Sequence, residues 1–117
     1  MELHALLQPA GVVVNDPGLL REYGLSELTM TLTGVTLTLN KIVACRQGEG
    51  HGTRFMTDLA NAADRNGWTL ALTPDDSYGA TSVNRLKRFY KRFGFKENKG
   101  RNTDFLINES MVRYPAL

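Results

Sequence analysis

Three glycines crowd the stretch Gln47-Gly48-Glu49-Gly50-His51-Gly52-Thr53, which joins a strand-like run to a stretch of helical spacing. A loop of this kind entering a helix gathers unpaired backbone N–H groups at the positive end of the helix dipole, where they can hold a phosphate. Glycine serves twice there. It leaves the amides open to phosphate oxygens, and it adopts left-handed backbone angles at little cost. Two familiar phosphate loops do not fit. A Walker loop ends in Gly-Lys-Ser/Thr, and Gly52-Thr53 lacks the lysine. A dinucleotide fingerprint needs G-x-G-x-x-G spacing, whereas Gly48, Gly50 and Gly52 are evenly spaced. The two histidines and Cys45 stand at no ligand spacing, which sets a metal enzyme aside.

The elements that must position this loop can be read from the periodicity. Gly11 to Val14 is strand-like. Asp16-Pro17 starts a short helix that runs to about Tyr23 and closes at Gly24. Leu28, Met30 and Leu32 alternate as in a half-buried strand, and the alternation resumes in Val35, Leu37 and Leu39 with its parity shifted, which predicts a tight turn or bulge at Thr33-Gly34. This second strand continues through Ile42 and Val43 to the glycine loop. Phe55, Met56, Leu59, Ala62 and Ala63 then form a helical stripe ended by Gly67. Trp68 to Leu72 reads as a buried strand and Pro74-Asp75-Asp76-Ser77 as a turn. A second long helix, capped by Ser82, carries the stripe Leu86, Phe89, Tyr90 and Phe93 and stops at Gly94. Further strand material is expected in 95–98 and 105–112, around an exposed loop at 98–102. The order predicts an α+β fold with a βαβ crossover at its centre.

The 117 residues, 42% hydrophobic and 22% charged, suit a single domain spanning 1–117 with an ordinary core. The apolar runs are far shorter than the roughly 20 residues that span a bilayer, so no membrane partner is expected. Without the features of a secretory signal, and with Cys45 alone, the chain reads as cytoplasmic. A net charge of +2 is too even to demand nucleic acid as a partner, yet Arg85, Lys87, Arg88, Lys91, Arg92 and Lys96 crowd one segment.

Gln47, Gly50 and Gly52 match the pattern Gln/Arg-x-x-Gly-x-Gly/Ala, and Phe89-Tyr90-Lys91-Arg92-Phe93-Gly94-Phe95 matches an aromatic, a tyrosine, three variable residues and Gly-Phe. On these two motifs, in this order and separated by one helix and one strand, the chain resembles the GCN5-related N-acetyltransferase superfamily over about residues 35–112. The resemblance implies an α/β/α sandwich with a mixed, mostly antiparallel sheet, and acetyl-CoA as cofactor. Its pyrophosphate would be received by Gln47, Gly48, Glu49, Gly50, His51, Gly52 and Thr53. Ile42, Val43 and Ala44, on a strand that separates from its neighbour, would pair with pantetheine. Tyr90 would protonate the departing thiolate, a task that a phenol with pKa near 10 suits; the competing reading makes Tyr90 a core residue. Arg46, Lys87 and Lys91 are the cations for the 3′-phosphate, with a solvated surface as the competing reading of the lysines.

The chain departs from the pattern in three places. Where an asparagine often stands seven residues before the tyrosine, this chain has Val83, with Asn84 one residue late. The first motif's strand offers Asn40 and Lys41 where many members have a glutamate base, so no base is assigned among these, His51, Glu49, Asp75 and Asp76. Only about 26 residues precede the first long strand, where two helices normally line the acceptor side. That shortness implies an open acceptor cleft, a protein lysine or N-terminus as acceptor, and room for a partner subunit such as a second copy. The minimal architecture, with its Arg46-Gln47-Gly48 start and the turn after the strand, is also similar to a phage-encoded anti-CRISPR acetyltransferase. The alternative is a non-catalytic module that binds nucleic acid or protein through the basic helix at 85–92. It predicts binding that acetyl-CoA does not affect.

Overall fold

The computed structural model describes residues 11–45, 50–75 and 82–116. Six strands form one sheet in the order β1-β2-β3-β4-β6-β5. In chain order these are β1 (Val12–Val14), β2 (Leu25–Thr33), β3 (Thr36–Ala44), β4 (Thr69–Leu72), β5 (Lys96–Glu97) and β6 (Met111–Arg113). The helices are α1 (Pro17–Tyr23), α2 (His51–Asn66) and α3 (Val83–Lys91). Every neighbouring pair is antiparallel except β3 and β4, which α2 joins as the parallel βαβ unit read from the sequence. No helix of the described residues is long and apolar enough to cross a membrane.

The helix ends follow local chemistry. Asp16 accepts the Leu19 N–H at 2.9 Å and caps α1, with Pro17 in its first turn, and Gly24 closes the helix at φ 65°. Ser82 accepts the Arg85 N–H at 3.0 Å and caps α3. The helices bury one side each: Leu19 and Tyr23 from α1, Phe55, Met56, Leu59, Ala62 and Ala63 from α2, and Tyr90 from α3 join Leu28, Met30, Leu37, Leu70, Leu72 and Met111 in one apolar cluster. Arg113 carries a bidentate contact to Asp64 of α2, 2.9 and 3.1 Å, and donates to the Phe93 carbonyl at 2.6 Å. Glu97, paired with Met111 across the β5–β6 ladder, meets Lys87 of α3. Opposite residues of a ladder share a face and alternate ones share it too, so α2 and α3 cover the same side of the sheet. Tyr23 packs edge-on against Phe55, with centroids 5.1 Å apart, which adds α1 to that layer. The expected second helical layer is therefore not formed by the described residues.

Other expectations shift in detail. Val35 lies in the turn with Gly34 and is 62% exposed, because Thr33 pairs directly with Thr36 and leaves only two connecting residues. The strand expected over 105–112 shortens to Met111–Arg113, and Phe105 and Leu106 stand 88% and 96% exposed. Asn98, expected at the edge of an exposed loop, is half-buried. Its amide nitrogen donates to the carbonyls of Asp104, Ile107 and Glu109 at 3.0–3.2 Å, and its oxygen accepts the Asp104 N–H at 2.7 Å. One side chain thus replaces the ladder that the apolar pattern suggested.

Candidate functional site

An opening in the sheet results from what happens to β3 after Leu39. The parallel ladder pairs Thr36 with Thr69, Leu37 with Leu70, Thr38 with Ala71 and Leu39 with Leu72, and goes no further. On the other side of β3 the antiparallel ladder continues, but Thr29 pairs with Lys41 and Met30 with Leu39, so Asn40 is an extra residue. Such a bulge bends the strand that carries it. The Asn40 Oδ1 accepts the Thr31 hydroxyl at 2.9 Å. On β4 the chain runs into Thr73 and Pro74. Proline has no N–H for a ladder, and the Thr73 hydroxyl accepts the Ser110 N–H at 3.1 Å instead. An open cleft lies between the diverging walls, lined by Leu39, Asn40, Lys41 and Ile42, by Leu72, Thr73, Pro74 and Asp75, and by Tyr90 of α3.

Tyr90 is both core and lining. It is 6% exposed and packs edge-on against Phe89 and Phe95, with centroids 5.2 and 5.8 Å away. Burial disfavours the phenolate and pushes the hydroxyl pKa up to about 12. Tyr90 is thus a packed ring of the core stripe, as the competing reading had it, and the residue also borders the cleft. At neutral pH the hydroxyl holds its proton and is a hydrogen-bond donor, though a weaker acid than an exposed phenol.

Of the glycine loop, Arg46, Gln47, Gly48 and Glu49 lie outside the described residues. Gly50 precedes α2 at φ 78°, a left-handed conformation that favours glycine, and no side chain caps the helix there. A Cβ on Gly52 would stand 3.5 Å from the Phe89 ring, so the first turn of α2 abuts α3. The His51 ring turns the other way, onto Gly24 at the end of α1. Thr53 is half-buried, and its carbonyl accepts the Thr57 hydroxyl at 2.7 Å. Ile42, Val43 and Ala44 lie beyond the last β3–β4 pair, on the stretch of β3 that no longer has β4 beside it.

The cations of α3 sort differently from the sequence reading. Lys87 and Lys91 turn toward β5 and reach Glu97 at 3.0 and 3.6 Å, with Lys99 on the same carboxylate at 3.6 Å. The hydrogen bond from Lys87 and the surrounding ammonium groups hold the Glu97 pKa below the usual glutamate value. The opposite flank carries Phe89, the residue that touches Gly52, and there the Arg92 guanidinium lies 5.7 Å from the Phe89 centroid and 5.9 Å from that of Phe93. Arg85 and Arg88 are exposed, as is Asn84, while Val83 is half-buried. The sequence reading named Asn40 only at the position of a base and Arg92 only within the basic cluster, and it did not name Thr73. A signal for the bulge was present: Leu37 and Leu39 are two apart, but Ile42 follows Leu39 by three.

Among solved structures, the crystal structure of the anti-CRISPR protein AcrVA5 is similar, with a TM-score of 0.63 and 15% sequence identity over 87% of this chain and 97% of that one. At that identity the likeness is one of fold. No family profile matches the chain, and no curated protein matches it in sequence.

Proposed function

We propose that this protein is an acetyl-CoA-dependent N-acetyltransferase that transfers the acetyl group directly to an amine, on a protein lysine or N-terminus. The observation that carries the reading is the separation of β3 from β4 after Leu39 and Leu72, with Tyr90 on the cleft so formed. The cleft is bordered by the strand that leads into the first motif and by the tyrosine of the second, and the fold is similar to that of the anti-CRISPR protein AcrVA5. The site fits the cofactor in shape and chemistry. A narrow extended arm suits a cleft between diverging strands, and the uncapped first turn of α2 suits a phosphate. When bound, acetyl-CoA supplies an activated acyl group on a good leaving group.

The chain's own parts divide the remaining work. Backbone groups of Ile42, Val43 and Ala44, which have no β4 residue beside them, would pair with the cofactor's amides and place a donor at the thioester oxygen. The first turn of α2, at Gly50, His51, Gly52 and Thr53, together with Gln47, Gly48 and Glu49, holds the pyrophosphate. Tyr90 donates its hydroxyl hydrogen toward the leaving sulfur and so stabilises the charge that develops there. For the 3′-phosphate, Arg92 lies against Phe89 on the flank next to Gly52, whereas Lys87 and Lys91 share Glu97. A cytoplasmic setting accords with an exposed thiol at Cys45.

Calorimetric titration with acetyl-CoA tests the proposal. The expected result is saturable binding with a micromolar dissociation constant. No heat at millimolar acetyl-CoA would sink it. A binding module working through the basic helix would instead bind DNA or RNA in a salt-sensitive way, unaffected by acetyl-CoA.

A further inference from the structure

We infer that Lys41 is itself an acetyl acceptor, so that the chain modifies its own cleft; this rests on the transferase reading above. Lys41 is the one lysine among the described residues lining the cleft. The bulge puts it there. With Asn40 as the extra residue, Lys41 pairs with Thr29 and Ile42 returns to the side of Leu28, leaving the lysine on the face opposite the helices. Its ammonium lies 2.8 Å from the Glu27 carboxylate on β2, and the two side chains are 30% and 37% exposed. The four-carbon stem is flexible, so the amine can leave Glu27 and reach across its own strand.

The chemistry balances with groups at hand. Glu27, whose carboxylate lies 2.8 Å away, takes one proton from the ammonium and passes it to water, which exposes the nitrogen lone pair. The nitrogen attacks the thioester carbonyl, a carbon–nitrogen bond forms, and the carbon–sulfur bond breaks with its electron pair on sulfur. The sulfur takes a proton from Tyr90 or water, and the acyl nitrogen loses its second proton to Glu27 or water. One ammonium and one thioester give one amide, one thiol and one proton. Holding amine and thioester in the same cleft raises their effective concentration, which separates Lys41 from lysines modified by chance. The product has no charge for Glu27 to meet.

The test is intact mass and peptide mapping of the full chain incubated with acetyl-CoA alone. Lys41 should gain an acetyl group at least about tenfold faster than Lys99, which is 75% exposed and serves as the internal reference. Lys41→Arg should remove the fast addition and leave the slow one on Lys99, and Glu27→Gln should slow the fast one. If acetyl-CoA binds by calorimetry yet Lys41 is modified no faster than Lys99, or equally fast in the urea-unfolded chain, the inference falls while the transferase reading stands. If acetyl-CoA does not bind, both fall.

Discussion

Leu39 and Leu72 are the last residues to face each other across the parallel β3–β4 ladder. Both are buried, at 7% and 2% exposure, so the strands are held firmly up to that pair and parted immediately beyond it. Amides of Leu37 and Leu39 should exchange slowly with solvent. Those on the β4 side of residues 41–44, with no strand beside them, should exchange at least about a hundredfold faster. Saturating acetyl-CoA should slow exchange at 42–44 specifically. Hydrogen-exchange mass spectrometry or NMR reads both differences, and no change at 42–44 with bound cofactor would show that pantetheine lies elsewhere.

Tyr90→Phe removes one hydroxyl and leaves the ring packed. A general acid contributes about a hundredfold or more to a rate, and an acid with pKa near 12 sits at the low end of that range. Turnover should therefore fall about a hundredfold while the acetyl-CoA dissociation constant stays within about twofold. Steady-state kinetics beside calorimetry separates the two. Unchanged turnover would reduce Tyr90 to a packing residue.

The same hydroxyl sets an alkaline limit on stability. Its pKa is higher in the folded chain than in the unfolded one, so its contribution is complete below pH 10 and disappears as pH rises from 10 to 12. Two units correspond to about 3 kcal/mol in order of magnitude. Tyr23 adds to the trend in the same direction: burial raises its pKa, and so does its 2.6 Å hydrogen bond to Asp58. Urea midpoints measured from pH 8 to 11.5 should fall steeply above pH 10, and Tyr90→Phe should flatten part of that fall.

Gly24 is required twice over. Its φ of 65° is left-handed, and a Cβ would lie 2.6 Å from the His51 Nδ1. The backbone term alone costs about 1–2 kcal/mol for another residue. Gly24→Ala should lose more than that, about 3 kcal/mol, because the ring must also move. In a His51→Ala background the same change should cost only the backbone part. A double-mutant cycle by urea unfolding measures the difference, and strict additivity would show that ring and glycine are not coupled.

How much of this could be read from the sequence depends on how local the cause is. Asp16, Ser82, Gly24 and Gly67 act on their own helix ends, and each does what its type suggested. The buried stripes of α2 and β4 were equally plain. Phe105 and Leu106 misled because apolar character alone suggested a strand, while the decisive partner, the Asn98 side chain, is distant from them in pattern though close in sequence. The place of Tyr90 in the core stripe was legible. The direction of the α3 cations was not, because Lys87 and Lys91 are drawn aside by Glu97, which belongs to another element. The bulge at Asn40 left a trace only in the three-residue step from Leu39 to Ile42.

The Asn98 knot separates shape from composition. Its amide binds carbonyls of Asp104, Ile107 and Glu109, and main-chain oxygens are the same whatever side chains accompany them. Phe105 and Leu106 can therefore be exchanged for other residues with little effect on the path of the loop. The segment is a fixed frame with interchangeable lettering, where drift in sequence can alter what the surface meets without disturbing the sheet behind it.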